Sequence, residues 1–165
     1  MRRRIELEFP KSQTRAVAEL LDHRAPRTCD AIWAVLAEPV ERMVIHAAWT
    51  GEYVLFYNLP PIDRPDELPL ENHKVRAGAG ELMFFYQPAG RLAGLHTITD
   101  WLHPSGEVYE VGFSYGESDL TEPAVQGWRG SHWATIADNL EGFATACRRM
   151  RIDGAQLIRL RRLEG

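Results

Sequence analysis

Residues 42–57 read RMVIHAAWTGEYVLFY, two apolar runs meeting at Thr50-Gly51. Glycine at the second turn position supplies the positive φ that a tight hairpin commonly needs, so the stretch predicts two antiparallel strands joined by a two-residue turn. If Trp49 pairs with Glu52, alternation puts Ile45, Ala47, Trp49, Val54 and Phe56 on one face. Val44, His46, Ala48, Tyr53, Leu55 and Tyr57 then share the other. Both faces are largely apolar. Such a strand pair is covered on both sides, by core on each or by core on one and a lined pocket on the other.

The flanking sequence extends this pattern. Ile5, Leu7 and Phe9 alternate with charged residues, PKSQ supplies a turn, and AVAELL follows, so the chain opens on another hairpin. In APRTCDAIWAVL, Pro26 suits a first helical turn and Cys29, Ile32, Trp33 and Leu36 recur at helical spacing. Four prolines between 58 and 74 deny that segment a regular ladder or helix and predict a long surface loop. GELMFFY resumes a strand, and EVYEVGFSYG places Tyr109, Val111, Phe113 and Tyr115 on one face. A second loop is expected over 116–132. Asp138 and Glu141 stand at capping-box spacing before a helix running to about Met150, and Gly154 precedes a last strand, AQLIRL. About seven strands and two helices, connected mostly at hairpin scale, hide their apolar faces and edges best as a mainly β, closed barrel capped by two α-helices.

The 165 residues suit one domain, 1–165, and 45% hydrophobic with 25% charged residues marks an ordinary globular chain. A formal net charge of −4 gives no footprint for phosphate backbones, so nucleic acid is not an expected partner. MRRRIELEF breaks its apolar residues with charge at once, which leaves no signal-peptide core and no membrane span and points to the cytoplasm. Cys29 and Cys147 are neither a metal pair nor a disulfide framework and are expected as buried thiols.

AELLDHRAPRTCDAIWAVL is similar to the second strand and first helix of cyclophilins, WATIADNLEGFATACRRMRIDGAQLIRL to their closing strand-helix-strand, and GAGELMFF to a glycine-led central strand. The HAxWxG hairpin, the SYG after a strand and the run from Gly127 to Leu140 together resemble an uncharacterised bacterial cyclophilin-like family, a domain of unknown function. The resemblance implies a cyclophilin-type barrel. It does not carry the prolyl-isomerase activity, because the arginine that follows the hairpin histidine in those enzymes, and polarises the prolyl amide, is Ala47 here. The phenylalanine expected after the turn glycine is Glu52. Without a donor toward the amide, a rotational barrier of about 18–20 kcal/mol stands unreduced.

Function must then be argued from side chains. His46 and Tyr53 in the hairpin, Tyr115 at a strand end, and Trp128, Arg129 and His132 in the loop before the last helix are the candidate ligand-binding residues, with Tyr57, Tyr86 and Ser131 beside them. Rings stack on a small organic ligand, arginine fixes an anionic group, and histidine moves a proton near neutral pH. Against this, aromatic residues at alternate strand positions are usually core, and a histidine in a covered sheet is usually hydrogen-bonded and inert. His46, His96, His103 and His132 show no metal-ligand spacing, so no metal and no cofactor are expected. Ser114 and Ser131 lack a nucleophile-elbow context. The leading expectation is a small carboxylate- or amide-bearing metabolite as partner; a prolyl isomerase and a homo-oligomerisation module using the Arg-flanked edge strands are the rivals.

Overall fold

The computed structural model describes residues 2–48, 50–56, 59–90, 105–120 and 129–163. The opening hairpin forms as β1 (Arg4–Phe9) and β2 (Thr14–Leu20), with Ile5, Leu7 and Phe9 buried. Helix α1 (Pro26–Val35) begins at its proline, whose missing N–H costs nothing in a first turn. There follow β3 (Val40–His46), β4 (Gly51–Phe56), a 3₁₀ turn (Pro65–Glu67), β5 (His73–Lys74), β6 (Arg76–Ala77) and β7 (Glu81–Gln87). The chain continues through β8 (Val108–Asp119), β9 (Gly130–Asp138), α2 (Leu140–Asp153) and β10 (Gln156–Leu163).

Eight strands pair antiparallel in the order β2-β1-β10-β3-β4-β8-β7-β9, and β9 pairs back onto β2 through Leu20↔Ala134, closing the ring. Among the described residues, closure leaves no long apolar strand with an unpaired edge. Short β5 and β6 add pairings to the ends of β9 and β8. The inward residues form one core with side chains from both helices: Phe143 of α2 packs its ring 5.4 Å from Phe9 and 5.9 Å from Phe113, while Cys29, Ile32 and Leu36 enter from the α1 side. Chain order fixes which mouth each helix covers. Helix α1 links the end of β2 to the start of β3, and α2 links the end of β9 to the start of β10, at the opposite rim.

The outside of the wall differs between its two halves. Across β2, β1, β10 and β3 it is a ladder of ion pairs, in which Arg159 bridges Glu8 and Glu41 and Arg161 meets Glu6. Across β4, β8 and β7 it carries a second buried cluster of Tyr53, Leu55, Ala77, Met83, Phe85 and Leu120. That is the double covering expected of apolar-faced strands.

Several expectations need correction. The hairpin register is one residue off: Ile45 pairs with Leu55 and His46 with Val54, so the tight two-residue turn does not form. Gly51 still takes φ 90, and a bulge follows it on β4 against β8. A one-residue slip exchanges the faces of a strand. Val44, His46 and Val54 therefore face inward, and Tyr53 and Leu55 outward. The proline-rich stretch is not wholly a surface loop, since Leu59 and Ile62 are buried in the core and Leu59 donates its N–H to the Tyr109 carbonyl. The loop expected over 116–132 is strand at both ends, because β8 runs to Asp119 and β9 starts at Gly130; residues 121–128 lie outside the described residues. Helix α2 is capped by Asn139, not Asp138: Asn139 adopts φ 57 and its side-chain oxygen accepts the Gly142 N–H at 3.2 Å.

Candidate functional site

At the α2 rim, β3 ends on His46 and β8 presents Tyr115 from the same inward row. The Nδ1 atom of His46 lies 2.7 Å from the Ala47 carbonyl, which can only accept, so the proton of the neutral ring sits on Nδ1. The other nitrogen then offers a lone pair. Nε2 accepts from the Tyr115 hydroxyl at 2.7 Å and from Arg151 Nε at 3.0 Å. Burial lowers the proton affinity of His46, and the Arg151 charge lowers it further, outweighing the Ala47 carbonyl and Glu52. Burial likewise raises Tyr115. The group is thus a neutral histidine holding a cation, not an imidazolium.

Arg151 comes from the last turn of α2, where a cation complements the helix C-terminus. Its Nη2 donates to the Gly51 carbonyl at 3.3 Å, and it forms no ion pair among the described residues. One turn back, Arg148 stacks 5.6 Å over the Tyr115 ring and lies 3.7 Å from Glu52. His46, Gly51 and Arg151 edge an open cleft of about 670 Å³ whose walls include Ile45, Ala47, Met150 and Ala155.

The other candidates are distributed around the wall. Tyr53 lies on the outer face, over Gly112, in the second cluster, and so does not share a pocket with His46. His132 is also outward, paired with Met83. Its Nε2 is 3.0 Å from the Thr135 hydroxyl and its Nδ1 is 3.8 Å from Glu81, whose carboxylate is held by Lys74 at 2.5 Å and the Gly78 N–H at 3.0 Å. Burial lowers His132, against the pull of Glu81. Arg129 is exposed just before β9, and Trp128 and Tyr57 lie outside the described residues. Ser131 accepts the Glu71 N–H, and Tyr86 donates to Glu107 at 2.6 Å, both as local structure. Gly130 permits close approach of the Phe85 ring: a Cβ there would fall 2.5 Å from it.

The expected pocket shared by the hairpin and the 128–132 segment therefore divides in two. His46 and Tyr115 meet at the α2 rim, while Tyr53 and His132 belong to the outer face. Sequence reasoning missed Arg151 and Arg148, although the basic run at residues 148–151 just before the Gly154 cap was a usable signal. Among the described residues no cluster of three or more His, Cys, Asp or Glu could hold a metal, and no helix is long and apolar enough to cross a membrane. His96 and His103 lie outside those residues.

The chain belongs to the family described as "Protein of unknown function (DUF3830)", whose model matches residues 7–162. Among solved structures it is similar to "Structure of McbB in complex with tryptophan", with a TM-score of 0.61 and 14% identity. That match covers 98% of this chain and 45% of the other, so the chain spans about half the length of that protein. At this identity the likeness speaks for the fold alone. The comparison with curated proteins returned no match.

Proposed function

We propose that this chain is a cyclophilin-like barrel that binds a small carboxylate-bearing metabolite in the cleft at the α2 rim. The observation that carries the reading is Arg151, a guanidinium tethered by a neutral histidine lone pair instead of by a carboxylate, at the edge of a cleft of about 670 Å³. A ligand carboxylate accepts two N–H bonds from such a fork. The apolar walls from Ile45, Ala47 and Met150 cover the rest of the molecule, and Tyr115 fixes the histidine that fixes the arginine. Ala47 in the place of the amide-polarising arginine supports this reading over prolyl isomerisation.

Thermal-shift screening of small carboxylates against the intact protein tests it. A ligand at a hundredfold its dissociation constant adds about 2.7 kcal/mol to stability. Tryptophan, with which the similar barrel McbB forms a complex, carries a carboxylate and belongs in the panel. The expected result is a shift with at least one carboxylate, none with its methyl ester, and loss of the shift in Arg151→Met. No shift across the panel, or an unchanged shift in that variant, overturns the reading. Proline-peptide isomerisation well above the spontaneous rate would establish the rival.

A further inference from the structure

On the outer face of β8, Glu110 is 0% exposed and neither carboxyl oxygen has a hydrogen-bond partner among the described residues. Burial is rarely tolerated by a carboxyl on such terms, and an unsatisfied buried group asks for an explanation. Among the described residues its nearest neighbours on that face are apolar, with the polar Gln87 set diagonally from it on β7. Phe85 stands directly across on β7; one step along the strand, Gly112 is flanked by Leu55 on β4 and Met83 on β7. Among the described residues no counter-charge acts on Glu110, and burial raises its proton affinity well above the ordinary carboxyl value. Burial without a partner favours the neutral carboxylic acid, which presents an O–H donor and a C=O acceptor side by side.

The floor beside it is bare backbone. Gly112 has no side chain, and the hollow above it is filled by the Tyr53 phenol, whose oxygen lies 1.5 Å from where a Cβ would stand. A flat ring of that size is what the hollow accommodates.

We propose that Glu110 is the recognition group of a second site, one that takes a small aromatic primary carboxamide. The acid O–H donates to the amide carbonyl and the acid carbonyl accepts an amide N–H, closing a paired hydrogen-bond ring. The aromatic body replaces the Tyr53 ring against Leu55, Met83 and Phe85. A carboxylate offers no N–H to this pair, and neither does the tertiary amide of a prolyl peptide. An ammonium would instead draw Glu110 into its ionised form, and is the class the test must separate. This site is independent of the α2 cleft, on the other side of the wall.

The experiment is calorimetric titration of the intact protein with benzamide, benzoate, N,N-dimethylbenzamide and benzylamine. Benzamide is expected to bind, benzoate not at all, and the dimethyl compound at least about tenfold more weakly, since a site built to bond an N–H rejects an analogue lacking it. Glu110→Gln presents the same donor and acceptor and retains binding, but without the wild type's loss of affinity as pH rises. Glu110→Leu abolishes binding while raising the denaturation midpoint, so that the lost binding is not lost folding. Absence of benzamide binding, tighter binding of benzylamine, or wild-type binding by Glu110→Leu overturns the proposal. If Glu110→Leu does not fold, identical pH profiles for wild type and Glu110→Gln do so. Arg151→Met leaves benzamide binding unchanged, so the two sites fail or stand separately.

Discussion

His46 faces Val54 across the β3–β4 ladder, and that pairing sends His46 into the barrel while Tyr53, the next residue on β4, goes out. The two were expected to share a pocket. Position 51, where β4 bulges against β8, needs glycine, because φ is 90 there and a Cβ would fall 2.7 Å from the Glu117 carbonyl oxygen. Gly51→Ala is predicted to cost about 1–3 kcal/mol, read as a lowered urea midpoint with an unchanged slope.

Glu71 reaches the N-terminus of α1 from the loop, its carboxylate accepting the Thr28 N–H at 2.8 Å and hydroxyl at 3.0 Å and the Arg27 N–H at 3.3 Å. It serves as the cap that Ala25 cannot provide. Glu71→Ala is expected to cost roughly 1 kcal/mol. Amide exchange should accelerate at both the start of α1 and residues 70–74; acceleration at neither would show that the loop is held otherwise.

Opposed titrations shape the response to pH. His46 and His132 are lowered from 6.5 by burial, so they are neutral in the fold; the stability this carries is present above 6.5 and lost as pH falls toward their folded values. Glu110 is raised from 4.5, so its contribution is full below 4.5 and lost as pH rises through its folded value. Urea midpoints measured against pH should lose the acid-side slope in part in His132→Gln and the alkaline-side decline in Glu110→Leu. Superimposable profiles for wild type and Glu110→Leu would refute the neutral-acid assignment.

The thiols should be silent in the native protein. Cys29, donating to the Trp133 carbonyl at 3.2 Å, is pushed up to about 12 by burial, and burial raises Cys147 as well. An aromatic disulfide reagent at pH 8 is expected to label neither until denaturant is added, then both. Native labelling of either would mean that its helix opens far more readily than its packing implies.

Legibility in the sequence followed how directly a residue's position sets its surroundings. Period-2 alternation identified β1 and the inward row Tyr109, Val111, Phe113 and Tyr115 of β8, and Pro26 marked the start of α1, because each depends on neighbours a few residues away. The register of β3 against β4 is a long-range pairing that no local pattern reveals, and it decided which candidates meet. Leu59 and Ile62 looked like loop residues among prolines, yet apolar side chains between fixed φ angles plug a rim as well as a strand does. Glu110 occupied the polar phase of an alternating strand, the usual mark of solvent exposure. The continuous apolar run LMFF in β7 was the countersign, since a strand apolar on both faces implies that its neighbour's polar phase is covered too.

The seam between β2 and β9 has a kinetic meaning. Leu20 cannot meet Ala134, nor Leu7 its β10 neighbour Leu160, until more than a hundred further residues have been synthesised. The first hairpin must therefore wait with both edges unpaired, and the ring can close only as a late, long-range event, in the slow regime of milliseconds to seconds usual for β structures rich in distant contacts. Of the ion-pair ladder only Arg15–Glu8 is in place in that interval, and Glu6 and Glu8 still await their β10 arginines. Charge on the outward face of the waiting strands disfavours their annealing to copies of themselves on neighbouring nascent chains.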